Sequence, residues 1–149
     1  MPREKTRVLI VDDSASVRQI LTSILTEDPE IEVMATASDP FAAARRLQDE
    51  LPDVIILDIE MPRMDGITFL RKIMAQRPIP VIICSSLTVE GSDLMFEAFE
   101  AGAVDIVPKP KIDTRQVLLE CSSRLREAVK SAARDIVSRM NRRFSAACS

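Results

Sequence analysis

Val54-Ile55-Ile56-Leu57-Asp58-Ile59-Glu60-Met61-Pro62-Arg63-Met64-Asp65-Gly66 joins an unbroken apolar run to a carboxylate, and the carboxylate to a turn rich in Pro, Asp and Gly. Four β-branched and aliphatic residues in a row are too short for a helix. They suit a strand buried on both faces, as in a parallel sheet. Further short apolar runs occur at Val8–Val11, Ile31–Ala35 (interrupted by Glu32), Val81–Cys84 and Ile106–Val107.

Helix-length segments lie between these runs. Ser14 or Ser16 can cap a helix carrying Val17, Ile20, Leu21, Ile24 and Leu25 on one face, ended by Asp28-Pro29. Asp39-Pro40 opens a second, closed by Pro52, and Gly66 a third, carrying Ile67, Phe69, Leu70, Ile73 and Met74 and stopped by Pro78. Ser92 or Asp93 starts a fourth, with Gly102 closing it, and a fifth follows Asp113-Thr114. Phe41, Phe69, Phe96 and Phe99 fall at core-compatible helical positions, and Cys84 reads as a small core residue. The fold class predicted is α/β: a three-layer (βα)5 doubly wound parallel sheet with strand order 2-1-3-4-5, flavodoxin-like.

A length of 149 residues and 46% hydrophobic content are enough for one domain with its own core. Histidine, Trp and Tyr are all absent, which excludes every His-based triad, general base and metal ligand. The three cysteines, Cys84, Cys121 and Cys148, match no C-x-x-C pattern and read as reduced thiols of a cytoplasmic protein without a signal peptide. No apolar run approaches the roughly 20 residues needed to cross a bilayer, so no membrane insertion is expected.

Charge divides the chain. Residues 1–114 hold 12 Lys and Arg against 20 Asp and Glu, whereas residues 115–149 hold 8 against 3. Leu118, Cys121, Leu125, Ala128, Ala132 and Ile136 recur at spacings of 3 or 4, with Arg124, Arg126, Lys130, Arg134 and Arg139 among them. That pattern predicts a long amphipathic last helix, whose apolar face either packs on its own sheet or joins two copies. A basic helix without interleaved aromatics reads as a solvated face, so no nucleic acid partner is expected.

The functional reading comes from the residues after each strand. In a 2-1-3-4-5 sheet, strand ends one and three adjoin at the topological switch, so Asp12, Asp13 and Asp58 converge on one crevice. Like charges that close are unfavourable, and a hard divalent cation with oxygen ligands is the usual remedy, Mg²⁺ above all. Acidic residues also end strands simply as turn formers or caps. Strand four, however, runs into Ser85-Ser86, and strand five into Lys109-Pro110, where Pro108 and Pro110 pin the backbone on either side of Lys109. A carboxylate nucleophile, a cation site, a hydroxyl and an ammonium together form a phosphate-handling set, with the backbone carbonyl of Glu60 placed to complete the metal shell.

With Asp-Asp after strand one, Asp-x-x-Met-Pro-x-Met-Asp-Gly after strand three, Ser after strand four and Lys-Pro after strand five, residues 6–125 resemble the receiver domain of bacterial two-component response regulators, the CheY-like fold. The resemblance implies Asp58 as phosphoacceptor, Asp13 as a direct Mg²⁺ ligand, Asp12 acting mainly through water, Ser85 as the switch hydroxyl and Lys109 as the phosphate-binding cation. It also implies a cis Lys109-Pro110 bond. Where many receivers carry a switch aromatic on strand five, this chain has Ile106.

Ser85-Ser86-Leu87-Thr88, Gly91-Ser92, Ala98, Ala101-Gly102-Ala103, Asp105 and Val107 to Pro110 are similar to the receiver of the chemotaxis protein-glutamate methylesterase family, CheB. That implies a CheA-type histidine kinase as phosphodonor and a C-terminal esterase domain, regulated by the receiver and demethylating receptor glutamates. With no histidine and no G-x-S-x-G elbow, these residues hold no such esterase. The organisation expected is a receiver domain over 1–125 and a helical extension or linker over 126–149. Two other readings stay open: a free-standing receiver that binds partners or dimerises through its last helix, and a metal-dependent phosphohydrolase with an Asp nucleophile, for which Glu60 would be the second acid.

Overall fold

The computed structural model describes residues 5–58, 66–76, 78–85, 93–108 and 122–134. Strands and helices alternate: β1 (Thr6–Val11), α1 (Ala15–Thr26), β2 (Ile31–Ala37), α2 (Pro40–Asp49), β3 (Val54–Leu57), α3 (Gly66–Gln76), β4 (Val81–Ser85), α4 (Asp93–Ala101) and β5 (Asp105–Pro108). Residues 122–134 are helical and are called α5 below. The five strands form one sheet in the order β2-β1-β3-β4-β5, and every pairing is parallel. The predicted fold class is therefore observed, with β1, β2, β4 and β5 longer than their apolar runs alone indicated.

Alternation along each strand divides the core into two layers. Leu9, Val11, Ile55, Leu57, Val81 and Ile83 point to one face, where Ala43 of α2, Ile67, Phe69, Leu70 and Ile73 of α3, and Ala98 and Ala101 of α4 cover them. Val8, Ile10, Val54, Ile56, Ile82 and Cys84 point to the other, against Leu21, Ile24 and Leu25 of α1 and Leu125, Ala128, Val129 and Ala132 of α5. This two-sided burial is why the strands read as continuous apolar runs. Each buried Leu or Ile contributes about 1.5–3 kcal/mol relative to exposure, which anchors the strand ends that carry the polar residues.

Local chemistry sets the helix ends. The Val17 N–H donates to Ser14 Oγ at 3.3 Å, capping α1, and the Ala42 N–H donates to Asp39 Oδ1 at 2.8 Å ahead of Pro40. Gly102 stops α4 with φ of +121°, a conformation an L side chain avoids. The edge strand β5 is covered by side chains: the Ile106 N–H donates to Asp105 Oδ1 at 2.8 Å, and Arg124 Nη2 of α5 donates to the Ile106 carbonyl at 3.2 Å. Both outward pairing groups of Ile106 are thereby occupied, which closes the edge to a further strand.

One expectation is revised. Of the four phenylalanines read as core-compatible, Phe69 is buried, but Phe41, Phe96 and Phe99 are 51%, 65% and 41% exposed. Pro40 and Ala43 take the sheet-facing stripe of α2, and Ala98 and Ala101 that of α4. A residue one or two positions from such a site is rotated by about 100° or 200° and leaves the stripe. On the other face of the sheet, Ala128, Val129 and Ala132 of α5 belong to the same core layer as α1. Over residues 125–132 the apolar face of the last helix is used within its own chain.

Candidate functional site

The site lies where β1 and β3 end. Val11 pairs with Leu57, so Asp12 and Asp58 follow side by side at the carboxyl edge of the sheet. The Asp58 N–H donates to the Val11 carbonyl at 2.9 Å, and the Asp12 N–H donates to the Ala37 carbonyl at 3.1 Å, holding both backbones in the sheet. Both residues are 1% exposed, whereas Asp13 is exposed. One carboxylate oxygen from each of Asp12, Asp13 and Asp58 lies within 4.8 Å of the others.

Three carboxylates this close, two of them out of water, repel one another and lack the solvation that would offset it. An all-oxygen set with one member open to solvent fits a hard divalent cation that keeps some of its water. The convergence expected of Asp12, Asp13 and Asp58 is thus observed, on the mechanism anticipated from strand order. β4 ends at Ser85, whose backbone pairs with Pro108 of β5, so these two strand ends also adjoin. The Ser85 side chain, Glu60, Lys109 and the Lys109-Pro110 bond lie outside the described residues. Ile106, at the position where many receivers carry an aromatic, is buried in the layer formed with α2, α3 and α4.

The corner between β1 and α1 is held by its own polar groups. Asp12 Oδ1 accepts from the Ser14 N–H at 2.9 Å, and Ser14 caps α1 as described. Arg18, on the second turn of α1, folds back so that its Nη1 donates to the Asp12 carbonyl at 2.6 Å. Sequence reasoning missed Arg18. Its only signal was a cation six residues after the first acid and on the helix that acid leads into, a pattern that also describes an ordinary solvated helix residue.

A parallel sheet in 2-1-3-4-5 order, with a carboxylate triad at the ends of strands one and three, defines a class that the comparisons identify. The response regulator receiver domain profile matches residues 8–120, and the chain belongs to that family. Within it, the similarity runs to chemotaxis methylesterases. The response regulator domain of Thermotoga maritima CheB superposes with a TM-score of 0.79 at 39% identity, covering 89% of this chain and 98% of that one. The protein-glutamate methylesterase/protein-glutamine glutaminase of group 3 operon of Bradyrhizobium diazoefficiens is 88% identical over 134 residues, which is 90% of this chain and 37% of that relative. The chain therefore spans little more than a third of the length of that relative. A further receiver, CheY6 of R. sphaeroides in complex with the P1 domain of CheA3, has a TM-score of 0.69 at 34% identity, covering 84% of this chain and 97% of that one.

Among the described residues, no helix is long and apolar enough to cross a membrane.

Proposed function

We propose that this chain is the phosphoacceptor receiver of a cytoplasmic two-component chemotaxis system, modified on Asp58 and governing a methylesterase domain that follows it in the longer relatives. The observation carrying this reading is the convergence of Asp58 with Asp12 and Asp13 at the carboxyl edge of the sheet. The donor fitting it is a phosphohistidine on a CheA-type kinase, the type of protein whose P1 domain is bound to the similar CheY6. It supplies from outside the histidine this chain lacks.

A carboxylate oxygen of Asp58 attacks phosphorus, a P–O bond forms, and the P–N bond breaks with its electron pair leaving on the imidazole. Asp58 sits at the end of β3 with its backbone tied to β1, so the nucleophile is delivered at a fixed position. Asp13, Asp58 and the Glu60 carbonyl would hold Mg²⁺ directly and Asp12 through water; when bound, the ion neutralises charge on the transferring phosphoryl oxygens. The Lys109 ammonium and the Ser85 hydroxyl hold oxygens of the resulting acyl phosphate. Water attack on phosphorus then releases phosphate and restores the Asp58 carboxylate.

In the longer protein, the phosphorylated receiver relieves its hold on the esterase, which then acts on receptor glutamates. The domain arrangement that goes with this is a receiver whose packed body runs through α5, with the residues beyond 134 leading toward the esterase. The inward packing of Leu125, Ala128, Val129 and Ala132 favours this reading over a dimer built on that face.

The test is incubation with a small acyl phosphate and Mg²⁺, followed by intact mass. The native chain gains one phosphoryl group and Asp58→Asn gains none. A gain that persists in the variant, or that needs no divalent cation, overturns the assignment.

A further inference from the structure

We infer that Arg18 is a positioning residue for the cation site, acting through the main chain rather than by contact with the ion. The inference rests on the cation-binding reading above and adds a residue to it.

The geometry is specific. The Asp12 carbonyl and the Asp13 N–H belong to one rigid peptide plane, so whatever holds that carbonyl sets the direction in which the chain leaves Asp12 and presents Asp13. Arg18 Nη1 holds it at 2.6 Å. On the other side of the same residue, the Asp12 N–H is fixed by Ala37 of β2. The Asp12 carboxylate is steadied by the Ser14 N–H at 2.9 Å. Of the three acids, Asp12 and Asp58 are buried and tied to the sheet through their backbone N–H groups, whereas Asp13, one residue further from β1, is exposed. The peptide gripped by Arg18 is the one that joins Asp13 to the rigid part.

Arginine suits this task. Its planar guanidinium is charged at all ordinary pH values and makes a charge-assisted bond to a carbonyl that a flexible ammonium reproduces poorly. Its charge alone, standing near an acidic cluster, would weaken attraction for a cation. The two effects have opposite signs, and we assign the larger to orientation. An Asp13 free to turn must be ordered at the moment of binding, whereas a held one is already in place.

The experiment is Mg²⁺ titration of the full chain, followed by amide shifts of residues 12–14 and 58, for the native protein, Arg18→Met and Arg18→Lys. The Asp12 carbonyl carbon shift and the thermal midpoint are measured without metal. Arg18→Met is expected to bind Mg²⁺ about tenfold more weakly, with the Asp12 carbonyl shift changed before any metal is added. Arg18→Lys is expected to fall between it and the native chain. If Arg18→Met does not fold, Arg18→Lys alone decides, an affinity reduced about threefold being the supporting result. Affinity equal to or tighter than native in the deciding variant overturns the inference. Failure of the native chain to bind Mg²⁺ at millimolar concentration overturns instead the cation-site reading on which it rests.

Discussion

Lys130 on α5 places its ammonium nitrogen 2.8 Å from a carboxylate oxygen of Asp28, in the turn between α1 and β2. Glu30 approaches the same nitrogen at 3.4 Å, and Arg126, one turn earlier, reaches Glu27 at 3.3 Å. The basic face of the last helix is therefore paired with the acidic turn beside it. That accounts for part of the charge division along the sequence, which has a partner within the chain.

This pairing should make stability depend on pH at both extremes. The hydrogen bond from Lys130 holds the Asp28 carboxyl below its ordinary value of 3.8, helped by the Glu30 N–H. A depressed carboxyl contributes fully above its unfolded value and loses that contribution as pH falls through the folded one. Hydrogen bonding to Asp28 raises Lys130 above 10.5, so its contribution is complete below that pH and is lost as pH climbs through the raised value. Urea unfolding of the native chain and Lys130→Met should show a small stability difference at neutral pH that shrinks in acid below 3.8 and at high salt. A difference that stays constant down to acid would mean the pair contributes nothing.

Asp58→Asn should stabilise the cation-free protein by on the order of 1 kcal/mol, since it removes one of three mutually repelling carboxylates at a buried position. Thermal midpoints in a chelating buffer measure this directly. Added Mg²⁺ should raise the native midpoint more than that of the variant, reducing or reversing the gap. A lower midpoint for the variant without metal would show that the triad is not strained.

Gly102→Ala should cost about 1–3 kcal/mol, for two separable reasons. The backbone there has φ of +121°, and an added Cβ would stand 2.6 Å from Cγ of Met74. Combining it with Met74→Ala should recover only the steric share, which denaturant midpoints of the four proteins in the cycle would reveal as partial non-additivity. Full recovery would mean that the backbone conformation costs nothing.

Val129→Ala should lose about 2 kcal/mol, as expected when a side chain with no exposure is cut back inside a packed layer. Glu127→Ala, two residues earlier on the exposed side of the same helix, should change stability by less than about 0.5 kcal/mol. Equal effects at the two positions would show that α5 is not docked in solution.

Phe96→Ser should likewise leave the unfolding free energy within about 0.5 kcal/mol of native, because that ring is 65% exposed. A loss of several kcal/mol would place it in the core after all.

The strands, their order and the carboxylate crevice could be read from the chain itself. Val8–Val11 and Val54–Leu57 are buried on both faces, so neither needs a polar alternation that would obscure it. Asp12, Asp13 and Asp58 follow those runs directly, so locating the strands also located the acids. That much depends on local sequence and on a connection rule general to parallel sheets. Tertiary structure decided the rest: that Ala43 and Ala98 rather than Phe41 and Phe96 face the sheet, that Val129 is buried, that Lys130 meets Asp28, and that Arg18 turns back onto the Asp12 carbonyl. Periodicity marks an apolar stripe without its rotation, and charge marks a cation without its partner. Those are settled only when packing sets each helix angle against the sheet.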